Sequence, residues 1–598
     1  MNGARPGFRL VLVLAVFAVW ALAIGWKLST LQVTRHEEYR ARAERQQRLV
    51  VDLEPPRGAI YDARGRELAV SVEVDSAWAD PRRVREAADP AEVARTVAEL
   101  TGVDAAKLLA RLDDPQSRFA WVARQLDPPQ AAALADLGIP GVNFLKEYKR
   151  YYPMGELAAQ VIGYAGIDQR GLAGLELRYD ARIAGREGSK TLLRDARRGT
   201  AATPLSAAGG AAPRPGASLH LTLDAAIQRI AERELVRGVE ASSAASGSVV
   251  ILDPATGGVL AMASYPPLDA NRFAAHDAEL RRNLPVMAAY EPGSTFKMVT
   301  AAAALSANLL DPTDELECGM GAIELHGVRI RDHKRFGRLS LRQVIARSSN
   351  VGAIKTGLLV GDDGLHDTVQ AFGFGRPTGV DLPAENPGEL QPLPAWRRYP
   401  LTKAYVSFGQ GISITPLQLT RAFAAVANGG ELLRPYVVAA VEGAEGGAVE
   451  RSARRIDGRP VSPATARELE RMLEAVVAEG TGRAAAVDGY AVAGKTGTAQ
   501  KAVPRAGYSA TRFVASFVGF APARRPELVM AVVIDEPWPR YHGGDVAAPV
   551  FARIAGPVLL YLGVAPDGAV PGDPGPAPEV PAFELAQAAA AVPGGPPA

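Results

Sequence analysis

Three short polar motifs, far apart in the chain, most constrain what this sequence can fold into. They are Ser294-Thr295-Phe296-Lys297, then Ser348-Ser349-Asn350, 54 residues after Ser294, and Lys495-Thr496-Gly497-Thr498, a further 147 residues on. A lone Ser-x-x-Lys occurs by chance in many long proteins, as a surface serine and lysine one helical turn apart. The three motifs together, in this order, are a known set for attack by an activated serine, with Ser349 at the central position of the second motif. They predict one domain that forms an acyl-serine intermediate.

The first motif places a candidate nucleophile in a suitable local setting. Ser294 follows Glu291-Pro292-Gly293 and precedes an apolar run that ends at Leu305. It therefore lies at or near a helix N-terminus, with Lys297 three residues on and on the same face. A serine hydroxyl is a poor nucleophile at neutral pH and needs an adjacent general base. Lys297 can be that base if desolvation, the helix dipole and a second lysine, for which Lys495 is the candidate, lower its pKa.

The second motif interrupts an otherwise apolar helical segment predicted from Leu341 to Leu358. Taken alone, Ser348 or Ser349 is equally well explained as a helix N-cap. Beside the other two motifs, Ser348 is better explained as a proton relay, and Asn350 as a residue that orients its neighbours through its amide.

The third motif lies in a stretch, 491–499, that reads as a strand. The two-residue period of a strand puts Thr496 and Thr498 on one face, where two hydroxyls can hold a substrate carboxylate. Gly497 falls on the other face with the lysine of the motif, and a glycine there lets another backbone come close. We expect the backbone N–H groups of Thr498 and Ser294 to form an oxyanion hole. A generic glycine-rich turn is the alternative for this motif on its own.

Composition excludes several classes of function. The net charge is +2, from 67 basic and 65 acidic residues, which is no basis for binding nucleic acid. Cys318 is the one cysteine, so an intrachain disulfide and cysteine metal motifs are excluded, and we expect it to be a small, inert side chain. The seven histidines show no H-x-x-x-H or H-E-x-x-H pairing. We therefore expect no metal and no cofactor.

An apolar segment near the N-terminus predicts a membrane anchor. Leu10 to Trp26 are 17 uncharged, mostly apolar residues between Arg9 and Lys27. At about 1.5 Å per residue this helix is slightly short of a hydrocarbon core of roughly 30 Å, but its charged flanks can reach the interface. Ala21-Leu22-Ala23 resembles a signal-peptidase site, but it lies inside the apolar run instead of after it. A buried core helix is the other alternative, and the terminal position and charged flanks argue against it.

The charges around this segment do not determine its orientation. More basic residues follow it than precede it, against the positive-inside rule, but large domains translocate largely regardless of charge. We expect residues 1–9 to stay inside as a short tail and residues 10–28 to be an uncleaved anchor.

Changes in composition divide the rest of the chain. Residues 29–48 are polar and rich in Arg, Glu and Gln, which predicts a helical stalk before the break at Pro55-Pro56. Residues 57–217 mix short strands and helices, and the Ala-, Pro- and Gly-rich stretch Gly209–Gly216 marks a boundary. Beyond Gly563 the chain is rich in Pro, Ala and Gly with almost no aromatic residues, which predicts disorder over 563–598.

The region between these boundaries has the mixed pattern of a sheet covered by helices. Asp224 is a good N-cap for a helix over 225–238, and a strand pair follows at 247–253 and 258–263. Further along, the predicted helices are 296–306, 340–358, 415–427 and 464–478, and the predicted strands are 489–493, 512–521 and 527–535.

Further motifs carry a resemblance to class B penicillin-binding proteins, which extends from the anchor to about residue 562. Outside the three polar motifs, the shared features are Arg57-Gly58-Ala59-Ile60-Tyr61-Asp62, Gly65, Leu68-Ala69, Arg150-Tyr151-Tyr152-Pro153, Gly163–Glu176, Phe408-Gly409-Gln410-Gly411 and Tyr541-His542-Gly543-Gly544. Ser349 is compatible, because the second motif of the family resembles S-x-N with a variable centre.

The resemblance implies a mixed α/β fold in three parts. These are a single N-terminal transmembrane helix, an elongated non-catalytic pedestal, and a transpeptidase domain of the penicillin-binding/β-lactamase type with a central antiparallel sheet covered by helices. On this sequence we expect the stalk and dimerisation-type pedestal over 29–217 and the transpeptidase domain over 218–562.

Within class B the likeness is greatest to the septal, division-specific branch, penicillin-binding protein 3. It lies in the stretch Leu68–Pro81 and in the ending Val546–Phe551. The elongation-specific branch of the lateral wall shares the polar motifs and is the alternative. The pedestal follows the anchor without a glycosyltransferase module, which favours class B over bifunctional class A. A serine β-lactamase or β-lactam sensor usually lacks the pedestal motifs, and a structural scaffold with a degenerate site does not fit the intact catalytic positions.

The resemblance implies a D,D-transpeptidase that cross-links septal peptidoglycan and is inhibited by β-lactams. Ser294 attacks the penultimate D-Ala carbonyl of a pentapeptide stem while Lys297 takes its proton. Ser348 and Lys495 pass a proton to the leaving amine, and the two threonines of the third motif hold the terminal carboxylate. The substrates are stem pentapeptides on a lipid-linked precursor or nascent glycan.

The family also implies a location and partners. The expected location is the inner (plasma) membrane at the division septum, crossed once, with the N-terminus cytoplasmic and the catalytic domain periplasmic. The expected partners are a polytopic septal glycosyltransferase and membrane-anchored division proteins, contacted through the anchor and the pedestal.

Overall fold

The computed structural model describes residues 6–39, 48–193, 212–503 and 507–567. Helix α1 (Pro6–Ser29) continues into a π-helical turn, Thr30–Thr34. The stretch Leu10–Thr34 is long and apolar enough to cross a membrane, and none of it is buried inside the protein. The predicted stalk helix is helical through residue 39, its residues 40–47 lie outside the described part of the chain, and residue 48 already begins a strand. The predicted disordered tail also lies outside it, except for 563–567.

The strands and helices of residues 48–241 alternate irregularly. The strands are β1 (Arg48–Leu53), β2 (Ile60–Tyr61), β3 (Glu67–Ala79), β4 (Ala120–Leu126), β5 (Val142–Tyr151), β6 (Gly188–Leu193) and β7 (Ser218–Leu221). The helices are α2 (Pro81–Ala87), α3 (Pro90–Thr101), α4 (Ala105–Leu112), α5 (Pro128–Asp136), α6 (Ala159–Ile162), α7 (Gly174–Arg178), α8 (Asp180–Ile183) and α9 (Ala225–Ala241).

Residues 242–567 contain longer helices, several short strands and the long strands of the central sheet. The strands are β8 (Ser246–Leu252), β9 (Val259–Tyr265), β10 (Glu315–Glu317), β11 (Ala322–Leu325), β12 (Val328–Arg331), β13 (Arg338–Ser340), β14 (Leu432–Leu433), β15 (Val438–Glu442), β16 (Val449–Arg451), β17 (Ile456–Gly458), β18 (Ala493–Val503), β19 (Gly507–Ala521) and β20 (Leu528–Asp535). The helices are α10 (Leu284–Met287), α11 (Lys297–Ser306), α12 (Leu341–Arg347), α13 (Asn350–Ala371), α14 (Leu393–Arg398), α15 (Leu401–Val406), α16 (Pro416–Ala427), α17 (Pro463–Ala478), α18 (Gly543–Val546) and α19 (Ala548–Tyr561).

The central sheet of the second half is antiparallel throughout, in the order β18-β19-β20-β8-β9. Both of its faces are covered, because neighbouring residues of a strand point to opposite sides. Val249 and Ile251 of β8 belong to one core with α9 and α19, whereas Val250 and Leu252 belong to the other core with α16 and α17. This arrangement confirms the predicted sheet covered by helices and leaves β18, which carries the third motif, at an edge.

Most elements predicted for this half are present. The helix expected at 225–238 is α9, and the Asp224 side chain caps it by accepting a hydrogen bond from the Ala226 N–H at 2.8 Å. Helices predicted at 415–427 and 464–478 are α16 and α17. The strand expected at 489–493 is wrong, because β18 begins only at Ala493 after a turn that joins Val487 to Tyr490.

A second sheet crosses the boundary predicted at 217/218. Its order is β16-β15-β7-β2-β3-β4, with β5 also on β3, so β7, β15 and β16 join strands of the pedestal. Among the described strands of this sheet, β2 and β7 form the only parallel pair. The pedestal is therefore connected to the transpeptidase domain by backbone hydrogen bonds as well as by side chains.

The motif residues shared with class B proteins form the buried ionic core of the pedestal. Arg57 donates to a Glu176 carboxylate oxygen at 2.7 Å, and Arg150 donates to the other oxygen at 2.6 Å. Both ends of these pairs are shielded from water. Asp180 accepts from Arg57 at 2.7 Å. One buried carboxylate thus joins the Arg57 motif to a segment 119 residues further along the chain.

Candidate active site

The first motif lies at the start of a buried helix. Ser294 is in a 3₁₀ turn, Gly293–Phe296, that leads directly into α11. Gly293 has φ +56°, its N–H donates to the Gly409 carbonyl at 2.9 Å, and a Cβ on it would lie 2.9 Å from the Thr498 carbonyl oxygen. The turn that carries Ser294, called the nucleophile turn below, is therefore held between β18 and the loop around Gly409, called the Gly409 loop. Ser294 lies at the start of a helix, as predicted.

The second motif separates two helices, so the continuous helical segment predicted over 341–358 is wrong. Ser348 ends α12 in the left-handed region, at φ 61°, and Ser349 is the N-cap of α13. The Ser349 hydroxyl accepts from the Gly352 N–H at 2.9 Å. The N-cap explanation thus holds for Ser349, whereas Ser348 and Asn350 are turned towards the first motif.

The three motifs converge on the Ser348 hydroxyl. The Lys297 ammonium lies 3.1 Å from Ser348 Oγ, and the Lys495 ammonium lies 3.0 Å from the same atom. Lys297 also donates to the Ser348 carbonyl at 2.6 Å and to Asn350 Oδ1 at 2.8 Å. Lys495 also donates to the Thr496 carbonyl at 3.0 Å. A single hydroxyl therefore bridges lysines that are 198 residues apart in the sequence.

Both lysines are completely buried, and burial acts on their protonation. Burial lowers the pKa of Lys297 to about 7, against the charge of Asp332, which acts to raise it. Burial, and then the charge of Lys297, hold the pKa of Lys495 well below its ordinary value. Desolvation penalises a charged ammonium, so Lys297 is available as a neutral amine near physiological pH.

The third motif lies on edge strand β18 as predicted, with both threonines facing the cavity. Thr496 Oγ1 lies 2.7 Å from Thr481 Oγ1, and Thr498 Oγ1 accepts from the Gly543 N–H at 3.1 Å. A Cβ on Gly497 would lie 2.3 Å from Ser516 Oγ and 2.9 Å from the Pro292 carbonyl oxygen. The predicted close approach at this glycine is thus made by the backbone that precedes the nucleophile.

The motifs open into one cavity of about 890 Å³. Among its lining residues are Ser294, Ser348, Asn350, Thr496 and Thr498. Within the described part of the chain the Ser294 hydroxyl forms no hydrogen bond. Catalytic hydrogen bonds are often long before substrate binds, so this hydroxyl is free to turn to Lys297 or to a ligand.

The two further motifs of the second half also reach the cavity. Phe408 and Gln410 line it from the Gly409 loop. Tyr541 stacks on Phe513, with ring centroids 4.1 Å apart, and both rings line the cavity. Glycine-rich loops therefore position the nucleophile turn on one side, and an aromatic pair walls the cavity on another.

Sequence reasoning missed Asp332. Its carboxylate accepts hydrogen bonds from the Ser349 hydroxyl at 2.7 Å, from the Val351 N–H at 3.0 Å and from the Asn350 N–H. It also lines the cavity. The residue belongs to no motif, and its only sequence signal is a single acid after a short strand. Among the described residues, no three His, Cys, Asp or Glu side chains are grouped so that they could hold a metal ion.

Comparisons with known proteins agree with this geometry. Residues 247–556 match the penicillin-binding protein transpeptidase domain, and residues 52–221 match the penicillin-binding protein dimerisation domain. The chain is 37% identical over 512 residues to the probable peptidoglycan D,D-transpeptidase PenA of Neisseria meningitidis, covering 85% of each chain. It is 34% identical over 523 residues to the peptidoglycan D,D-transpeptidase FtsI of Escherichia coli, covering 86% of this chain and 85% of the other.

A solved structure is also similar over most of the chain. Penicillin-binding protein 3 from Mycobacterium tuberculosis, complexed with aztreonam, superimposes with a TM-score of 0.67 at 29% identity. The match covers 86% of this chain and 98% of that one. The chain belongs to the penicillin-binding protein transpeptidase family. With its dimerisation domain and N-terminal apolar helix it is a class B member, a peptidoglycan D,D-transpeptidase of the penicillin-binding protein 3 type.

Proposed function

We propose that this protein cross-links septal peptidoglycan through an acyl-enzyme formed on Ser294. The single observation that carries the mechanism is the Ser348 hydroxyl held 3.1 Å from Lys297 and 3.0 Å from Lys495. It joins a buried amine beside the nucleophile to a second buried amine beside the carboxylate-binding strand. That is the proton path that transfer of an acyl group from a D-Ala-D-Ala stem requires.

In the first step Ser294 Oγ attacks the penultimate D-Ala carbonyl. The hydroxyl proton goes to the neutral Lys297 amine, and the oxyanion is bound by the N–H groups of Ser294 and Thr498. Collapse of the tetrahedral intermediate breaks the amide bond. The terminal D-Ala leaves as an amine after receiving a proton through Ser348 from the protonated lysine pair. The ester on Ser294 retains the rest of the stem.

The substrate carboxylate is held at the third motif in this proposal. Thr498 accepts from the Gly543 N–H, so its own hydroxyl proton is left to donate into the cavity. Thr496 shares a hydrogen bond with Thr481 on the same side. A hydroxyl can donate and accept at once, so both threonines can bind the terminal carboxylate without losing these partners.

In the second step an amine of a neighbouring stem attacks the ester. It loses a proton to the Lys297 amine, and Ser294 Oγ leaves as an alkoxide that recovers a proton from Lys297. The products are the cross-linked peptide and free enzyme. β-Lactams enter by the first step, because their ring carbonyl takes the place of the penultimate D-Ala carbonyl.

The first test is the release of D-Ala from a synthetic pentapeptide ending in D-Ala-D-Ala by the full chain in detergent. We expect release by the unaltered protein and none by Ser294→Ala. Ser306→Ala is the matched control, since Ser306 is an exposed serine at the other end of α11. Release by Ser294→Ala would overturn the proposal, and rapid turnover of β-lactams by the unaltered protein would show a β-lactamase instead.

The septal assignment rests on the resemblance in Leu68–Pro81 and Val546–Phe551 and on the similarity to penicillin-binding protein 3. In the same proposal residues 10–28 anchor the chain in the inner membrane. The tail 1–9 is then cytoplasmic, and the pedestal (29–217) and the transpeptidase domain (218–562) are periplasmic. The anchor and pedestal contact a polytopic septal glycosyltransferase and membrane-anchored division proteins.

The location distinguishes the two branches of class B. A fluorescent fusion of the full chain should concentrate at midcell in dividing cells. A uniform distribution along the lateral wall would contradict the septal assignment and favour the elongation-specific branch, without affecting the chemistry proposed for Ser294.

A further inference from the structure

The segment that follows β12 lines one side of the active-site cavity and belongs to none of the sequence motifs. Asp332 accepts three hydrogen bonds there, from the Ser349 hydroxyl at 2.7 Å, from the Val351 N–H at 3.0 Å and from the Asn350 N–H. Two of the donors are backbone N–H groups in the first turn of α13, which have no carbonyl partner within the helix. A carboxylate is favoured there by these N–H groups and by the helix dipole. The interaction joins residues 17 to 19 positions apart in the sequence.

The same segment determines which way Asn350 points. The Arg331 carbonyl accepts from Asn350 Nδ2 at 3.0 Å, and Asn350 Oδ1 accepts from Lys297 Nζ at 2.8 Å. An amide has one donor end and one acceptor end, so a carbonyl partner for the nitrogen directs the oxygen to the ammonium. The Arg331 carbonyl thus orients the side chain of Asn350, and the Asp332 carboxylate binds its backbone N–H.

Three contacts of Lys297 depend on this arrangement. Its ammonium donates to Ser348 O, Ser348 Oγ and Asn350 Oδ1, which belong to the residue that ends α12 and the residue that begins α13. Ser348 keeps its left-handed backbone, at φ 61°, next to the capped serine. Left-handed geometry costs of the order of 1–2 kcal/mol for a residue other than glycine, so neighbouring contacts must maintain it. The Asp332 carboxylate supplies such contacts one residue away.

The charges around Lys297 come from two directions. Lys495 reaches it from β18 through the Ser348 hydroxyl, and Asp332 and His333 lie on the segment after β12. Asp332 is the acid whose charge favours the protonated form of Lys297, in opposition to burial. The pKa of His333 is lowered by burial and then by the charge of Lys297, so a neutral His333 adds no charge. Asp332 is therefore the anion whose charge acts on the buried ammonium of Lys297.

We propose that Asp332 is a positioning residue for this reaction. It holds the second motif in its bent geometry, and its negative charge favours the protonated form of Lys297, the general base. The proposal rests on the proposed function for the role of Lys297. Asp332 does not touch the reacting atoms, and its effect reaches them through Ser349, Asn350 and the electrostatic field at Lys297.

The pH profile of acylation tests the two parts of this role, charge and geometry, separately. The pH at which acylation by a β-lactam becomes fast reports the proton affinity of Lys297, and the plateau rate reports the geometry. In Asp332→Asn a neutral acceptor of the same shape remains but the charge is lost. We expect the acid limb of the acylation profile to move to lower pH by roughly one unit, the smaller end of the effect of a nearby opposite charge. We also expect a lower plateau.

Two further variants distinguish charge from shape. Asp332→Glu keeps the charge, so its acid limb should stay close to that of the unaltered protein while its plateau falls. Ser349→Ala removes one hydrogen bond to Asp332 and keeps the charge, so its acid limb should also stay in place. A purely structural role would lower the plateau in all three variants and move the limb in none.

The experiment measures acylation of the full chain by a fluorescent penicillin from pH 5.5 to 9, with thermal melting to show that each variant is folded. An acid limb of Asp332→Asn that coincides with that of the unaltered protein overturns the proposal. So does a limb that moves equally in Ser349→Ala. If Asp332→Asn does not fold, a displaced limb in Asp332→Glu overturns it and an unchanged limb with a lower plateau supports it. Absence of labelling in the unaltered protein would instead contradict the proposed function.

Discussion

At the scale of single residues, the feature that matters most is the protonation of two buried lysines. Lys297 and Lys495 are both completely buried, and each donates to the Ser348 hydroxyl. Two adjacent ammonium groups without solvent are unfavourable, so at least one must be neutral near pH 7. The site thus obtains a base from its own desolvation, with no other base required beside the serine.

The pH dependence of acylation follows from the pKa of Lys297, which burial lowers to about 7. The neutral amine is the active form, so the acylation rate should rise as the pH increases through about 7 and level off above it. The measurement is the rate of labelling by a fluorescent penicillin between pH 5.5 and 9. A rate that is constant over this range would contradict the role of Lys297, as would one that rises only at the upper end of the range, near pH 9.

At the scale of secondary structure, the close contact between β18 and the nucleophile turn aligns the site. A Cβ on Gly497 would lie 2.3 Å from Ser516 Oγ and 2.9 Å from both the Pro292 carbonyl oxygen and Thr295 Cγ2. These distances are well inside van der Waals contact. Strand β18 can therefore approach the turn that carries Ser294 only because position 497 has no side chain.

Gly497→Ala should force β18 away from the nucleophile turn. Overpacking of this kind costs about 1–3 kcal/mol of stability, and a misplacement of about 1 Å in a catalytic site can lower the rate about 100-fold. Gly458→Ala in β17 is the matched control, since a Cβ there meets nothing within 4 Å. Thermal melting and penicillin labelling of both variants test this expectation. Equal labelling rates for Gly497→Ala and the control would be evidence against it.

The sequence predicted the elements that have strong local signals. Asp224 at the start of α9 and the alternation of β18 depend on neighbours within a few residues, so they could be predicted. The break between α12 and α13 could not, because the carboxylate that binds Ser349 and the start of α13 belongs to Asp332, 17 positions before Ser349 in the sequence. The three motifs indicated which side chains the fold brings together, while the Asp332 carboxylate that binds the second motif became visible only through tertiary contacts.

At the scale of the whole molecule, the pedestal and the transpeptidase domain share one sheet. Strand β7 pairs with β2 of the pedestal and with β15. The Asp224 carboxylate, which caps α9, accepts from Arg64 at 2.9 Å and from Arg66 at 2.7 Å. It also accepts from the Tyr561 hydroxyl at 2.9 Å. The Asp224 carboxylate therefore connects the turn between β2 and β3 of the pedestal to α9 and α19, two helices that cover the central sheet.

We expect the buried ionic core of the pedestal to contribute strongly to the stability of the protein. Glu176→Gln leaves the buried Arg150 without a full charge partner and leaves Arg57 with Asp180 alone. Breaking a buried ion pair costs about 3–5 kcal/mol, so this variant should unfold at markedly lower temperature or denaturant concentration. Glu86→Gln, which removes an exposed partner of Arg82, should change stability by no more than about 0.5 kcal/mol. Coincident unfolding curves for Glu176→Gln and the unaltered protein would contradict this account.

The central claim is that Ser294 is the residue that becomes acylated, and mass spectrometry after exposure to benzylpenicillin tests it most directly. We expect the full chain to gain the mass of one penicillin, with the adduct on the peptide that contains Ser294. Ser306→Ala should gain the same adduct, and Ser294→Ala should gain none. An adduct on Ser294→Ala, or one mapped to another residue of the unaltered protein, would contradict the account.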